Sequence, residues 1–150
     1  MIPRFGPAPR PGQSYRLRPG AYAVLLRGGQ VLLTHQDGPE PEYQLPGGGI
    51  DAGEGAVAAL HREVREETGY RIGALRGLGA YRRFCFMPEY DLMAEKLCGV
   101  WLGRPIRRDG PPTEPGHRAV WMAPAAALAC LADPGARFWM ARALRLRSVL

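Results

Sequence analysis

Leu45-Pro46-Gly47-Gly48-Gly49-Ile50-Asp51-Ala52-Gly53-Glu54, continuing into Gly55-Ala56-Val57-Ala58-Ala59-Leu60-His61-Arg62-Glu63-Val64-Arg65-Glu66-Glu67-Thr68-Gly69-Tyr70, is the stretch on which the reading of this chain depends. It predicts a glycine-rich loop feeding a helix of about four turns, with Gly69 placed where helices commonly stop in a left-handed residue. Val57, Leu60 and Val64 recur at i, i+3 and i+7, with Ala56 and Ala59 beside them. That pattern gives one small apolar face able to lie close against a sheet. Glu63, Glu66 and Glu67 recur at i, i+3 and i+4, which gathers three carboxylates on another face. Like charges at that spacing repel by a few tenths of a kcal/mol per pair, and the macrodipole disfavours anions at a helix C-terminus. A helix built for stability alone would carry Lys or Arg there. A bound cation is the simplest compensation, and oxygen-only ligands select a hard one such as Mg2+ or Mn2+. Carbonyls of the Gly47-Gly48-Gly49 turn can add a ligand, because residues without a β-carbon let the chain approach a metal closely.

Gly48, five residues, Glu54, seven residues, Arg62-Glu63-Val64, one residue, Glu66-Glu67, one residue and Gly69-Tyr70 together resemble the complete signature of the Nudix hydrolases. The seven invariant positions would meet by chance on the order of once in 10^8 to 10^9 starting points at average residue usage. The resemblance implies a metal-dependent pyrophosphohydrolase that cleaves the diphosphate linkage of a nucleoside diphosphate derivative. The substrate could be a nucleotide, an ADP-ribose-like compound, a nucleotide sugar or a dinucleotide. It also implies an α/β fold, the Nudix-type α/β/α sandwich with a mixed β-sheet. Glu63, Glu66 and Glu67 become the metal carboxylates, Gly47 the carbonyl ligand, and Arg62 with Glu54 a pair bracing the loop against the helix. His61 and Arg65 fall on unconstrained positions and read as surface residues.

A chain of 150 residues is long enough for one domain with its own core, and 20 Gly and 15 Pro fit many tight turns. We expect an irregular arm over residues 1–19 and a single domain over 20–150. The formal charge of +6 comes almost wholly from arginine, Lys96 being the sole lysine. The basic residues are scattered, which argues against nucleic acid as the main partner and is compatible with a small anionic nucleotide. Cys85, Cys98 and Cys130 show no paired spacing, so reduced thiols and a cytoplasmic location are expected. No apolar run spans a bilayer, and homodimer formation is left open.

Flanking the box, Ala21–Leu26 and Gln30–His35 read as a hairpin closed by Arg27-Gly28-Gly29. Tyr43-Gln44-Leu45 reads as a short strand entering the glycine turn, and Ile72–Arg82 as a strand broken by glycines. Lys96–Leu102 and Ala119–Met122 read as further strands. A helix is expected from Pro124 to about Ala132, and a terminal helix with Ala136, Trp139, Met140, Ala143 and Leu144 on its apolar stripe. Gly103–His117 reads as a loop.

Arg82, Arg83 and Phe84 lie in a segment that interleaves aromatics with arginines, suited to bases and phosphates; the alternative is a strand with aromatics inward and arginines in water. Tyr43 is either core filler or a wall of the substrate pocket. Arg16 and Arg18 either reach a substrate phosphate or are solvated. Some Nudix subfamilies carry a diagnostic Pro or Tyr past the box. Cys85, Phe86 and Met87 stand in that stretch here, with Pro88 just beyond, so no named substrate is implied. By resemblance, a carboxylate outside the box binds a second metal or serves as base; Glu114 is the best placed, then Asp109 and Glu95. Glu63, Glu66, Glu67 and Glu114 all remain open as the base. Two alternatives to hydrolysis are a catalytically silent Nudix-fold nucleotide sensor and an RNA 5′-end-processing protein.

Overall fold

The computed structural model describes residues 1–149, with side chains described as far as residue 146. In chain order the elements are β1 (Arg16–Arg27), β2 (Gln30–Gln36), β3 (Glu42–Gln44), β4 (Gly47–Gly49), α1 (Ala56–Thr68), β5 (Tyr70–Met87), β6 (Leu92–Arg108), β7 (His117–Met122), α2 (Pro124–Cys130) and α3 (Pro134–Val149). The strands form one seven-stranded sheet in the order β3-β2-β1-β6-β5, with β4 added to β1 and β7 to β2. β1 and β6 run parallel and the other pairs antiparallel, so the sheet is mixed.

The hairpin between β1 and β2 closes as expected. Arg27 pairs with Gln30, and Gly28 and Gly29 take φ of 58° and 76°, the positive values a two-residue turn needs. Both faces of the central strands are buried. Ala21, Ala23 and Leu25 pack with Leu60 and Val64 of α1, while Val24 and Leu26 pack with Trp139, Met140 and Ala143 of α3. The continuous apolar run of β1 follows from that double covering. The result is the expected α/β/α sandwich. No helix among the described residues is long and apolar enough to cross a membrane.

Several boundaries differ from the sequence reading. β1 starts at Arg16, and Arg16 to Pro19 already pair with Ala94 to Leu97 of β6. β5 is continuous to Met87, absorbing its glycines as register irregularities near Gly73 and Gly77. β6 runs on to Arg108, so half of the expected Gly103–His117 loop is strand, held by pairing with Tyr70 to Gly73. Val57 is 44% exposed. The apolar face of α1 is carried by Ala59, Leu60 and Val64. Residues 3–5 lie along β5, where Phe5 N–H donates to Arg82 O and Arg82 N–H to Pro3 O. The Phe5 ring packs against Tyr81 and Phe138.

Candidate active site

β4 delivers its three glycines between the sheet and α1. Gly47 has φ of 145°, and a Cβ there would lie 2.1 Å from Ala21 O. A Cβ on Gly48 would lie 2.5 Å from Glu63 Cδ, so the carboxylate of Glu63 rests directly over the turn. Glu67 Oε1 accepts the Gly47 N–H at 2.9 Å, and Glu67 is only 6% exposed. Burial pushes the Glu67 carboxyl well above its ordinary range; the Gly47 N–H opposes this, and Glu63, Glu114 and Glu66 add to it. Burial also raises Glu63, with Arg62 opposing and Glu66 and Glu114 reinforcing. At the far end of α1, Gly69 takes φ of 79° and caps the helix by donating its N–H to Arg65 O.

Arg62 is the hub of the loop. Its Nε and Nη2 both donate to Glu54, each at 2.8 Å, in the planar two-point pairing that suits guanidinium and carboxylate. Nη2 also reaches Gly49 O at 3.1 Å, while Nη1 lies 3.0 Å from Glu63 and 3.4 Å from Glu66. The Arg62 hydrogen bonds, helped by the Asp51 N–H, lower the Glu54 pKa to about 2. Arg62→Lys keeps the charge and loses the two-point contact. It should lower the melting temperature and raise severalfold the Mg2+ concentration giving half-maximal activity; an unchanged metal requirement would remove Arg62 from its bracing role.

The loop after β6 closes over the same helix end. Thr113 and Glu114 N–H groups donate to Glu66 O at 2.8 and 2.9 Å, satisfying a terminal carbonyl of α1 and setting Glu114 where its charge acts on Glu63 and Glu67. Asp109 is drawn away from the glutamates by Arg71, Arg107 and Arg65. Glu95 pairs with Arg82 at 3.5 Å.

Glu54, Glu63, Glu66, Glu67 and Glu114 thus share one region with Arg62. No three carboxylate, imidazole or thiolate groups among the described residues stand closed around a single point. Glu63 and Glu66 are turned toward Arg62 Nη1. An all-oxygen donor set, a nearly buried Glu67 and a glycine cradle under Glu63 nevertheless fit a hard divalent cation.

A cleft of about 270 Å³ opens from Glu63 and Glu67 past Tyr22, Lys96, Tyr81 and Arg83. The aromatic-arginine segment splits by strand alternation: Tyr81 and Arg83 line the cleft, whereas Arg82 and Phe84 project to the other face. There Phe84 packs beneath Tyr15, and Arg82 pairs with Glu95. Of Arg82, Arg83 and Phe84, expected together on one substrate surface, only Arg83 lines the cleft. Tyr43 packs against the core beside Leu131, edge-on to His35, and is not part of the cleft wall.

Sequence reasoning missed His117, Asp133, Lys96 and Tyr22. His117 Nδ1 lies 2.9 Å from Thr34 Oγ1 and 3.5 Å from Glu67 Oε2, and burial lowers its pKa. Asp133 accepts the Tyr81 hydroxyl and the Gly135 N–H at the start of α3. None of the four sits in a motif. Strand pairing brings Tyr22, Lys96 and His117 to the cleft, and the connection between α2 and α3 brings Asp133.

This geometry defines a carboxylate-rich helix-and-loop site on a mixed sheet. The family model for the NUDIX domain matches residues 16–146, and the chain belongs to the Nudix family. Among curated proteins it is similar to an RNA pyrophosphohydrolase of Rhodospirillum rubrum, 38% identical over 93 residues that cover 62% of this chain and 53% of the relative. It is also similar to an 8-oxo-dGTP diphosphatase of Haemophilus influenzae, 38% identical over 89 residues, 55% of this chain and 62% of the relative. The chain spans little more than half the length of the curated relatives it matches. A solved NUDIX hydrolase from Nitrosomonas europaea shares the fold, with a TM-score of 0.70 at 21% identity over 87% of this chain and 90% of that one.

Proposed function

We propose that the protein is a metal-dependent pyrophosphohydrolase acting on a nucleoside diphosphate derivative. The observation that carries this reading is Glu63 and Glu67 lining one end of the cleft, with Glu66 and Glu114 near enough for their charges to act on both and Arg62 as the cation bonded to Glu63 and Glu66. Mg2+ or Mn2+, held by Glu63, Glu66, Glu67 and the Gly47 carbonyl, would neutralise charge on the phosphoryl oxygens and make nearby water more acidic.

The chain's own residues supply the rest. The Gly47 N–H fixes the orientation of Glu67, and Arg62, anchored on Glu54, holds the glycine turn against α1. Arg83 and Lys96 present positive charge to the phosphates along the cleft wall. Water adds to one phosphorus, the bridging P–O bond breaks, and the proton passes to one of the four carboxylates. Three free cysteines are compatible with a cytosolic location.

The test is product release from nucleoside triphosphates, ADP-ribose, nucleotide sugars, dinucleoside polyphosphates and RNA with a 5′-triphosphate, each with Mg2+, with Mn2+ and with EDTA. Cleavage of at least one, abolished by EDTA, is expected. Tight nucleotide binding without cleavage anywhere in the panel would replace the hydrolase by a sensor.

A further inference from the structure

In the register of the sheet, Lys96 of β6 stands opposite Arg18 of β1 on one side and Arg83 of β5 on the other. Directly paired residues of neighbouring strands project to the same face, so three cations line up across three adjacent strands. Like charges in that arrangement repel, and a sheet selected for stability alone would alternate their sign.

The three differ in what answers their charge. Arg83 Nη1 lies 3.7 Å from Asp133 Oδ2. The Arg18 guanidinium lies over the exposed ring of Tyr90, 4.9 Å from its centre. Lys96 faces the Tyr22 hydroxyl, and no carboxylate among the described residues comes within ion-pair range of it. It is half-buried and lines both the main cleft and an adjoining recess shared with Arg18, Glu63, Glu89 and Tyr90. An ammonium withdrawn from water without a carboxylate partner calls for an anion from outside the chain.

We infer that the Arg18–Lys96–Arg83 row is a phosphate subsite adjoining Glu63, and that it receives the part of a linear triphosphate chain not held at the glutamate end. The inference rests on the hydrolase reading for its substrate class. Strand spacing gives the row a span of about 10 Å, room for several phosphates in line rather than one. A diphosphate ending in a sugar offers this row no further charge. A nucleoside 5′-triphosphate or the 5′-triphosphate end of an RNA does.

Calorimetric titration of inorganic triphosphate and inorganic diphosphate, in EDTA, isolates the row from any metal. The wild-type chain is expected to bind triphosphate about tenfold or more tightly than diphosphate. Lys96→Met should erase that preference, Lys96→Arg should keep most of it, and Arg18→Gln should lower it about threefold. Equal binding of the two probes by wild type, or an unchanged preference in a folded Lys96→Met or Arg18→Gln chain, overturns the inference.

In Mg2+, the same variants should raise KM for GTP and for a short 5′-triphosphate RNA by the same factor with little change in kcat. The arm with the higher kcat/KM identifies the source of the triphosphate. A wild-type chain that prefers triphosphate through Lys96 and cleaves nothing refutes the hydrolase and leaves the subsite standing. An active chain indifferent to Lys96→Met does the reverse.

Discussion

Glu67→Gln is expected to lower turnover at saturating Mg2+ by at least about 100-fold, the scale of losing one well-placed catalytic group. Glu67 is the most buried of the helix glutamates, and it is aimed by the Gly47 N–H. Gln keeps the shape and an acceptor for that N–H but loses the negative charge. Stability should respond in the opposite direction. A carboxyl whose folded pKa is raised contributes its stability fully at pH below the ordinary carboxylate range and loses it as pH rises through the folded value, because the folded state must then ionise a buried acid. In EDTA, the melting temperature of the wild-type chain should therefore fall as pH rises above that range, while Glu67→Gln lacks this part of the slope and melts no lower than wild type near neutral pH. Near-normal turnover in the variant would remove Glu67 from the catalytic group; a lower melting temperature in EDTA would mean that its charge is compensated within the chain.

Gly47→Ala is expected to destabilise the fold by about 3 kcal/mol or more, a class of effect tied to backbone overlap and unfavourable φ. For a chain of this size that is a fall of roughly 10 °C in melting temperature. The new methyl would meet Ala21 O and Tyr22 Cα, both backbone atoms that cannot swing aside, at a residue with φ of 145°. The neighbouring glycines sharpen the prediction. At Gly48 the methyl would meet the Glu63 carboxylate, the movable end of a side chain, so Gly48→Ala should act on activity more than on stability. At Gly49 nothing lies within 4 Å, and Gly49→Ala should melt within a degree or two of wild type. Equal melting temperatures for Gly47→Ala and Gly49→Ala would overturn the placement of β4 on β1.

The parts of the fold legible in the sequence were those written locally. The hairpin showed in paired glycines between apolar runs, and the end of α1 in Gly69. The gathering of Glu63, Glu66 and Glu67 showed in helical periodicity. Contacts made across the sheet were not legible. Whether Arg82 or Arg83 faces the cleft depends on a parity that bulges in β5 reset, and glycines announce an irregularity without saying which way the next side chain turns. The strand character of Arg104 to Arg108 comes from pairing with Tyr70 to Gly73, not from the polar residues themselves. Lys96, His117 and Asp133 belong to three separate segments with ordinary local readings. Val57 failed for the opposite reason: its spacing fits the apolar face, but the residue stays 44% exposed.

The parallel pairing of β1 with β6 also governs how the chain can be made. Arg16 and Ala94, which begin that pairing, lie 78 residues apart. During synthesis the β1–β2 hairpin can close early, but the other edge of β1, an apolar strand at the centre of the finished sheet, has no partner until β6 has left the ribosome. Closing so long a loop comes late and slowly, and until then the open edge is a template for pairing with other nascent chains. Acquisition of the fold is therefore a single late event, and a nascent chain stopped short of residue 94 holds the complete glutamate motif without the sheet that turns it into a site.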